Sequence, residues 1–188
     1  MDSLPVKPRI LIVDDHPANL LAFEVVLERE FSPYLAESGR QALEVSERAD
    51  FAAILLDVRM PGLDGYETAV ELRRREKTRF TPVIFTSAAV ETPPSVLRGM
   101  SAGVMDFVFT PVDPDFLRFK VAAHVRSYLD TRSIHFQIER VAHRMRSLRS
   151  QIARKTPLDD ALDEQIRQLE GMSEDLKRRS GGLARVVT

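Results

Sequence analysis

The sequence predicts an α/β fold with a parallel sheet covered by helices on both faces, followed by an all-α extension. Two observations indicate the α/β part: short, continuous apolar runs alternate with helical segments, and there are five such pairs within the first 125 or so residues. Continuous apolar strands are typical of parallel sheets buried on both faces. A third observation indicates the extension, because from about Ser127 the pattern changes to unbroken helix.

Five apolar runs are predicted as strands. RILIVDD (Arg9 to Asp15) and FAAILLD (Phe51 to Asp57) are rich in strand-forming residues and end in acids. SPYLAES, between them, is a weaker and shorter run. PVIFTSA and DFVFTP follow later in the chain. Five βα units of this kind fill about 120 residues, a normal size for one domain.

Helical spacing fills the intervals between these runs. The predicted helices are Asn19 to Glu30, the segment GRQALEVSER, Gly65 to Arg75, and PSVLRGMSAG, which Gly103 closes. Asp113-Pro114 predicts an N-cap followed by a proline in the first turn of a fifth helix.

The extension has the spacing of a coiled-coil seam. Its apolar residues recur at intervals of four and three, namely Ile134, Ile138, Val141, Met145, Leu148 and Ile152. Thr156-Pro157 interrupts this helix, and a second helix with its own apolar stripe is expected to follow. The first helix is basic and the second acidic, so we expect them to pack together. They could do so as a hairpin within one chain or between chains in a dimer.

These patterns divide the chain into five parts. We expect an N-terminal tail over 1–8, a globular domain over 9–126, a helix continuing from it over 127–155, a second helix over 156–179, and a flexible end over 180–188. We expect the fifth helix of the domain to run on into the first tail helix.

Composition excludes several classes of protein. The chain has 188 residues, 44% of them hydrophobic, and a formal net charge of −1, which is ordinary globular composition. It has no cysteine, which is compatible with the cytoplasmic location that we expect. No apolar run reaches the roughly 20 residues of a membrane helix. The arginine-rich helix carries no helix-turn-helix or zinc pattern, so DNA binding is not expected.

Three carboxylates end two of the predicted strands: Asp14, Asp15 and Asp57. In a parallel sheet these strand ends lie at one edge, where ligands bind. Carboxylates brought so close repel each other unless a hard cation neutralises them, and oxygen ligands favour Mg²⁺. One of the carboxylates could then act as a nucleophile toward a phosphoryl group.

Four motifs, in order, resemble a known family. ILIVDDHPANL, ILLDVRMPGLDGYE, PVIFTSA and GVMDFVFTPVDPDFL together are similar to the CheY-like receiver domain of two-component response regulators, over Arg9 to Val125. The resemblance implies a flavodoxin-like fold with a five-stranded sheet and a Mg²⁺ cofactor. It also implies a regulator rather than an enzyme, with at most self-catalysed phosphorylation and dephosphorylation.

The resemblance implies roles for individual residues. Asp57 matches the phosphoacceptor, which also contacts the metal, and Asp14 and Asp15 match the magnesium-binding acids. The backbone carbonyl of Arg59 matches a further protein ligand of the metal.

Two further positions match the switch of the family. Thr86 matches the hydroxyl that moves toward the phosphoryl group, and Phe107 matches the aromatic side chain that turns inward when it does.

The sequence departs from the family pattern at Thr110, where receivers normally have lysine before a proline whose preceding peptide is often cis. Without that cation, Asp57 could still be phosphorylated with altered rate and weaker coupling, which is the reading we favour. Alternatively, the domain is a pseudo-receiver scaffold that signals through protein contacts alone. In a third reading, Arg59 supplies the missing positive charge, although a solvated loop arginine is an equally good interpretation.

The implied partners are a histidine kinase or histidine phosphotransfer protein upstream and a protein partner downstream, with a homodimer formed through the tail. A second alternative is phosphotransfer through His143, on a dimeric helical hairpin, although Arg144 follows it where kinases have an acid. The chain could also be the front of a longer hybrid kinase or cyclase.

Overall fold

A computed structural model describes residues 7–88, 93–153, 164–165 and 167–172, and it describes no side chains at 93–96 and 151–153. The chain divides into two compact units, one ending at Tyr128 and the other beginning at Leu129. Over the described ranges, no helix is long and apolar enough to cross a membrane.

The first unit contains a sheet of five parallel strands, and this confirms the predicted fold class. The strands are β1 (Arg9–Val13), β2 (Ser32–Ala36), β3 (Ala53–Asp57), β4 (Val83–Ser87) and β5 (Asp106–Phe109). Their order across the sheet is β2-β1-β3-β4-β5. The order reverses between β1 and β3, so the carboxyl ends of these two strands flank the crevice where ligands bind in such folds.

The apolar runs form strands because helices bury both of their faces. In β1, Leu11 and Val13 belong to one core cluster, whereas Ile10 and Ile12 belong to the other. Each of these four side chains is at most 1% exposed. The alternation of strand side chains between two buried faces explains why the run is apolar throughout.

Four helices of the first unit connect the strands: α1 (Pro17–Leu27), α2 (Gly39–Arg48), α3 (Gly65–Arg74) and α4 (Pro93–Ser101). Ser38 caps α2, and Asp64 forms a reciprocal capping box at the start of α3. The prediction for α1 was wrong at both ends. This helix begins at Pro17, which suits a first turn, and ends at Leu27.

The fifth helix, α5, runs from Pro114 to Ala153, which confirms that it continues into the extension. Asp113 Oδ1 accepts a hydrogen bond from the N–H of Phe116 at 3.0 Å, which confirms the predicted N-cap. Residues 164–165 and 167–172 are helical as well. The Thr156-Pro157 break, the ends of the second helix, residues 1–6 and residues 180–188 lie outside the described ranges.

In the second unit, two helical segments of one chain come together. The Arg149 guanidinium lies 3.8 Å from the Glu170 carboxylate. The half-buried row on this part of α5 is His135, Ile138, Ala142, Met145 and Arg149.

The predicted seam divides into two rows. Its members Ile138 and Met145 are half-buried, whereas Ile134, Val141 and Leu148 are 57%, 60% and 48% exposed. We call these last three residues the outer row. The side chain of Ile152 lies outside the described ranges.

Arg73, at the end of α3, fixes the connection that leads into β5. Its guanidinium donates to the carbonyl of Gly103 through Nε at 3.1 Å and Nη2 at 2.6 Å, and to that of Thr81 at 2.6 Å. Gly103 has a φ of +80°, and a Cβ there would lie 2.8 Å from Arg73 Nε. Glycine therefore satisfies both the left-handed backbone and the space that Arg73 occupies.

Candidate functional site

Asp57 is the last residue of β3, at the carboxyl edge of the sheet. Its Oδ2 accepts a hydrogen bond from the N–H of Arg59 at 3.0 Å. Its register partner on β4 is Thr86, which is 2% exposed. The structure therefore brings the proposed phosphoacceptor and the proposed switch hydroxyl to neighbouring strand ends.

Asp14 and Asp15 follow β1, on the other side of β3 from β4. Asp14 is 2% exposed and accepts hydrogen bonds from the N–H of His16 at 2.8 Å and from Asn19 Nδ2 at 3.0 and 3.2 Å. Asp15 is half-buried. Charge-assisted bonds of this kind keep a buried carboxylate in place.

The sequence predicts His16 to be a loop residue whose imidazole could lie near the acids, and it assigns no role to Asn19. Both residues contact the acid pair. The His16 Nδ1 atom lies 3.0 Å from Asp15 Oδ1 and 3.6 Å from Asp14 Oδ1. The ligand atoms of Asp14, Asp15 and His16 all lie within 4.8 Å of one another. The signal was present in the run DDHPAN, where the proline begins α1 and presents the next turn to the acids.

The electrostatics of Asp57 fit a bound cation. Burial, the charge of Asp14 and, to a smaller extent, the charge of Asp15 together raise the pKa of Asp57 to about 6, against the lowering effect of the Arg59 and Val58 N–H groups. Asp57 resists ionisation because it is partly buried and two other carboxylates lie nearby. A hard divalent cation would neutralise these charges and takes carboxylate oxygens as ligands. The residues present therefore fit Mg²⁺.

Thr110 follows β5 at this same edge, where its N–H donates to the carbonyl of Ser87 at 2.8 Å. The Thr110-Pro111 peptide is cis. Thr110 is half-buried, whereas Arg59 is exposed. Of the two positions considered for a cation, residue 110 thus holds a neutral side chain, and residue 59 holds an arginine at the surface.

The Phe107 ring packs between the sheet and α4. It lies 5.5 Å from the Phe85 ring in an edge-to-face arrangement and 6.5 Å from the Phe109 ring. A Cβ at Gly99 would lie 2.6 Å from the tip of the Phe107 ring. Because Gly99 has no side chain, the Phe107 ring can pack directly against α4.

A second cluster, which sequence reasoning missed, joins β5 to α5. The Asp106 carboxylate accepts a hydrogen bond from Lys120 Nζ at 2.7 Å and lies 3.1 Å from His124 Nε2. Lys120 also donates to the carbonyl of Phe107 at 3.1 Å. Burial alone would raise the pKa of Asp106, but these two partners and the Phe107 N–H hold it below its ordinary value. The backbone of the proposed switch residue is thus bonded to α5.

His143 is exposed on α5, within the second unit. The acid cluster belongs to the first unit, so the structure assigns the two candidate phosphoryl sites to different units.

A doubly wound parallel sheet with paired acids after β1 and another acid after β3 defines a receiver-type signalling domain. The sequence model of the response regulator receiver domain matches residues 10–122. The chain therefore belongs to the response regulator receiver domain family.

Curated relatives agree with this assignment. The chain is 33% identical over 118 residues to a Vibrio cholerae protein named "Probable cyclic di-GMP phosphodiesterase", covering 63% of this chain and 26% of that protein. It is 30% identical over 152 residues to the transcriptional regulatory protein SrrA of Staphylococcus aureus, covering 72% of this chain and 61% of that protein. The chain thus spans less than two thirds of the length of either relative.

Solved structures show the same fold. The Vibrio cholerae chemotaxis protein CheY4 is 26% identical, with a TM-score of 0.60 over 64% of this chain and 99% of that one. The receiver domain of a sensor histidine kinase from Pseudomonas aeruginosa PAO1 is 30% identical, with a TM-score of 0.59 over 64% of this chain and 98% of that one. That structure has a magnesium ion coordinated in its active-site cleft.

Proposed function

We propose that this protein is a response regulator that accepts a phosphoryl group on Asp57 from a histidine kinase or a histidine phosphotransfer protein. The observation that carries the proposal is the position of Asp57, at the end of β3 and close enough to Asp14 and Asp15 for their charges to raise its pKa. Family membership supports it. We propose a cytoplasmic location, with which the absence of cysteine agrees.

In the proposed reaction an Asp57 carboxylate oxygen attacks the phosphorus of the donor phosphohistidine. The nitrogen–phosphorus bond breaks, its electron pair and a proton remain on the donor imidazole, and Asp57 carries an acyl phosphate. The Arg59 N–H holds Asp57 Oδ2 in place during the attack. This is positioning and charge neutralisation rather than acid–base chemistry.

The metal would be held by the carboxylates of Asp14, Asp15 and Asp57 and by the backbone carbonyl of Arg59. When bound, Mg²⁺ supplies positive charge that offsets both the carboxylates and the incoming phosphoryl oxygens. The two bonds from Asn19 and the one from the His16 N–H keep Asp14 oriented toward this task.

We propose that the readout passes through Thr86 and Phe107. The Thr86 hydroxyl would turn toward the phosphoryl group, and the Phe107 ring, which lies beside Gly99, would turn inward with it. Since Lys120 on α5 bonds the Phe107 carbonyl, a change at Phe107 would also be felt by α5.

Thr110 supports a second candidate function, that of a pseudo-receiver scaffold. A threonine donates one neutral hydrogen bond where lysine would supply a full charge, so phosphate would be held less strongly. Arg59 is the candidate to compensate for the loss. We favour retained phosphorylation, because every other residue of the site is present.

For the extension we propose protein–protein contact: a homodimer through the tail and a downstream protein partner, without DNA binding. The outer row of Ile134, Val141 and Leu148 supports this, because the three apolar side chains recur every seven residues on an exposed helix face.

The test is phosphorylation by a small-molecule phosphodonor with Mg²⁺, comparing wild type with Asp57→Asn and His143→Gln. The account expects wild type and His143→Gln to be modified and Asp57→Asn to remain unmodified. Full modification of Asp57→Asn would refute the assignment, and failure of wild type with both a donor and its cognate kinase would favour the scaffold.

A further inference from the structure

We propose that His16 is a metal ligand, and that the site at Asp14 and Asp15 therefore binds first-row transition ions such as Mn²⁺ in preference to Mg²⁺. The inference rests on the metal site proposed above and concerns which ion that site selects. It adds a nitrogen donor to a site otherwise made of oxygens.

The imidazole lies where a metal ligand would lie. Two ligands at right angles, each about 2.1 Å from one ion, lie about 3.0 Å apart. His16 Nδ1 is 3.0 Å from Asp15 Oδ1 and 3.6 Å from Asp14 Oδ1, so one ion could contact all three atoms. The three ligand atoms lie within 4.8 Å of one another.

Packing does not hold the His16 ring in this position. The His16 side chain is 72% exposed, and although His16 is the N-cap residue of α1, its side chain does not cap the described helix. Its backbone N–H is fixed by Asp14 Oδ1 at 2.8 Å. The attraction of the two carboxylates is therefore the feature that keeps the imidazole over the site.

Ligand chemistry favours a transition ion at a site with a nitrogen donor. Mg²⁺ prefers oxygen ligands and geometry close to octahedral, and it gives up its waters reluctantly. Imidazole nitrogen suits the later first-row ions, and Mn²⁺ accepts both oxygen and nitrogen donors. A nitrogen beside two carboxylate oxygens therefore increases affinity for Mn²⁺ with little effect on affinity for Mg²⁺.

A hydrogen bond from Nδ1–H to Asp15 is the competing arrangement, and its consequences differ. In that case His16 only positions Asp15, and its loss would weaken every ion that Asp15 binds to a similar extent. The ratio of the Mn²⁺ and Mg²⁺ affinities separates a ligand from a positioning residue.

The experiment titrates full-length wild type, His16→Phe and His143→Phe with Mn²⁺, followed by electron paramagnetic resonance, and with Mg²⁺ in competition. His143→Phe removes another exposed histidine and serves as the matched control. The proposal expects His16→Phe to weaken Mn²⁺ binding by about tenfold or more, while Mg²⁺ affinity stays within about twofold. Wild type, but not His16→Phe, should show hyperfine coupling of Mn²⁺ to a directly bound nitrogen.

An equal loss of both ions in His16→Phe, an unchanged Mn²⁺ affinity, a missing nitrogen coupling in wild type, or no binding of Mn²⁺ at all would overturn the proposal. None of these results bears on phosphorylation of Asp57 in Mg²⁺, which is measured separately. The failure of the ligand assignment is thus distinguishable from the failure of the proposed function.

Discussion

Thr86 is the register partner of Asp57, at the point where β4 and β3 reach the carboxyl edge of the sheet. The N–H of Val58 donates to the Thr86 carbonyl at 3.1 Å, so the pairing continues past the carboxylate. A hydroxyl on the neighbouring strand is therefore held next to the proposed phosphoacceptor by the sheet itself.

Replacing Thr110 with lysine should restore a cation at the edge of this site. Because an opposite charge nearby favours the ionised carboxylate, Thr110→Lys should lower the pKa of Asp57 from about 6 by about one unit in metal-free protein. Carboxyl carbon NMR titration measures the change. Thr110→Met, which is of similar length and neutral, is the control, and an equal shift in both variants would show that the charge at residue 110 does not reach Asp57.

Removing the Asp57 charge should stabilise the metal-free protein only at high pH. Its pKa is about 6 in the folded protein, above the ordinary value of 3.8 for an exposed aspartate. Its contribution to stability is therefore fully present below about pH 4 and is lost as the pH rises through about 6. Asp57→Asn should therefore raise the free energy of unfolding by about 1 kcal/mol near pH 8 and change it little near pH 4. The effect is smaller than the free energy equivalent to the whole pKa shift, because Asp57 is only half-buried and water screens its charge.

Urea denaturation at the two pH values checks this prediction, and Mg²⁺ provides its control. Since an ion that binds only the folded state stabilises by mass action, Mg²⁺ should stabilise wild type more than Asp57→Asn. If Asp57→Asn raised the free energy of unfolding of the metal-free protein equally at both pH values, the Asp57 charge would not be the cause.

A methyl group at Gly99 should displace the Phe107 ring. The added Cβ would lie 2.6 Å from the ring tip, and because the clash is with the end of a side chain, the ring can move instead of the backbone. Gly99→Ala should shift the resonance of a fluorinated Phe107 and change the free energy of unfolding by less than about 1 kcal/mol, since alanine also gains in helix propensity. An unshifted resonance would contradict the described position of the ring.

The outer row should carry self-association of the tail. Val141→Ser combined with Leu148→Ser removes apolar surface from both copies of a dimer, so the dissociation constant should rise by about tenfold or more. Phe136→Ser, an exposed apolar change on the same helix but outside the row, is the control. Sedimentation equilibrium measures the effect, and a wild type that remains monomeric at high concentration would rule the dimer out.

The sheet could be predicted from the sequence because burial on both faces leaves a continuous apolar run, as in β1 and β3. The tail could be predicted only to the level of helix and stripe. Spacing of four and three generates two adjacent rows, and the sequence does not say that Ile138 and Met145 would be half-buried while Val141 is exposed. Which row becomes half-buried depends on which face of α5 the rest of the second unit packs against.

Contacts between distant residues were beyond sequence reasoning for a similar reason. Asp106 meets Lys120 and His124, which lie 14 and 18 residues away on α5, and no local pattern marks that pairing. His16 was different, since it adjoins the acids in sequence. Only its side-chain position could show that the imidazole lies against both of them.

Borohydride trapping of the phosphorylated protein tests the central claim most directly. An acyl phosphate is reduced to the alcohol, so an aspartate that carried it becomes homoserine, which peptide mass spectrometry can locate. After treatment with a phosphodonor and Mg²⁺, the account predicts homoserine at position 57 and unmodified Asp14 and Asp15. Homoserine at another acid, or a stable phosphoryl group on His143 with none at Asp57, would contradict it.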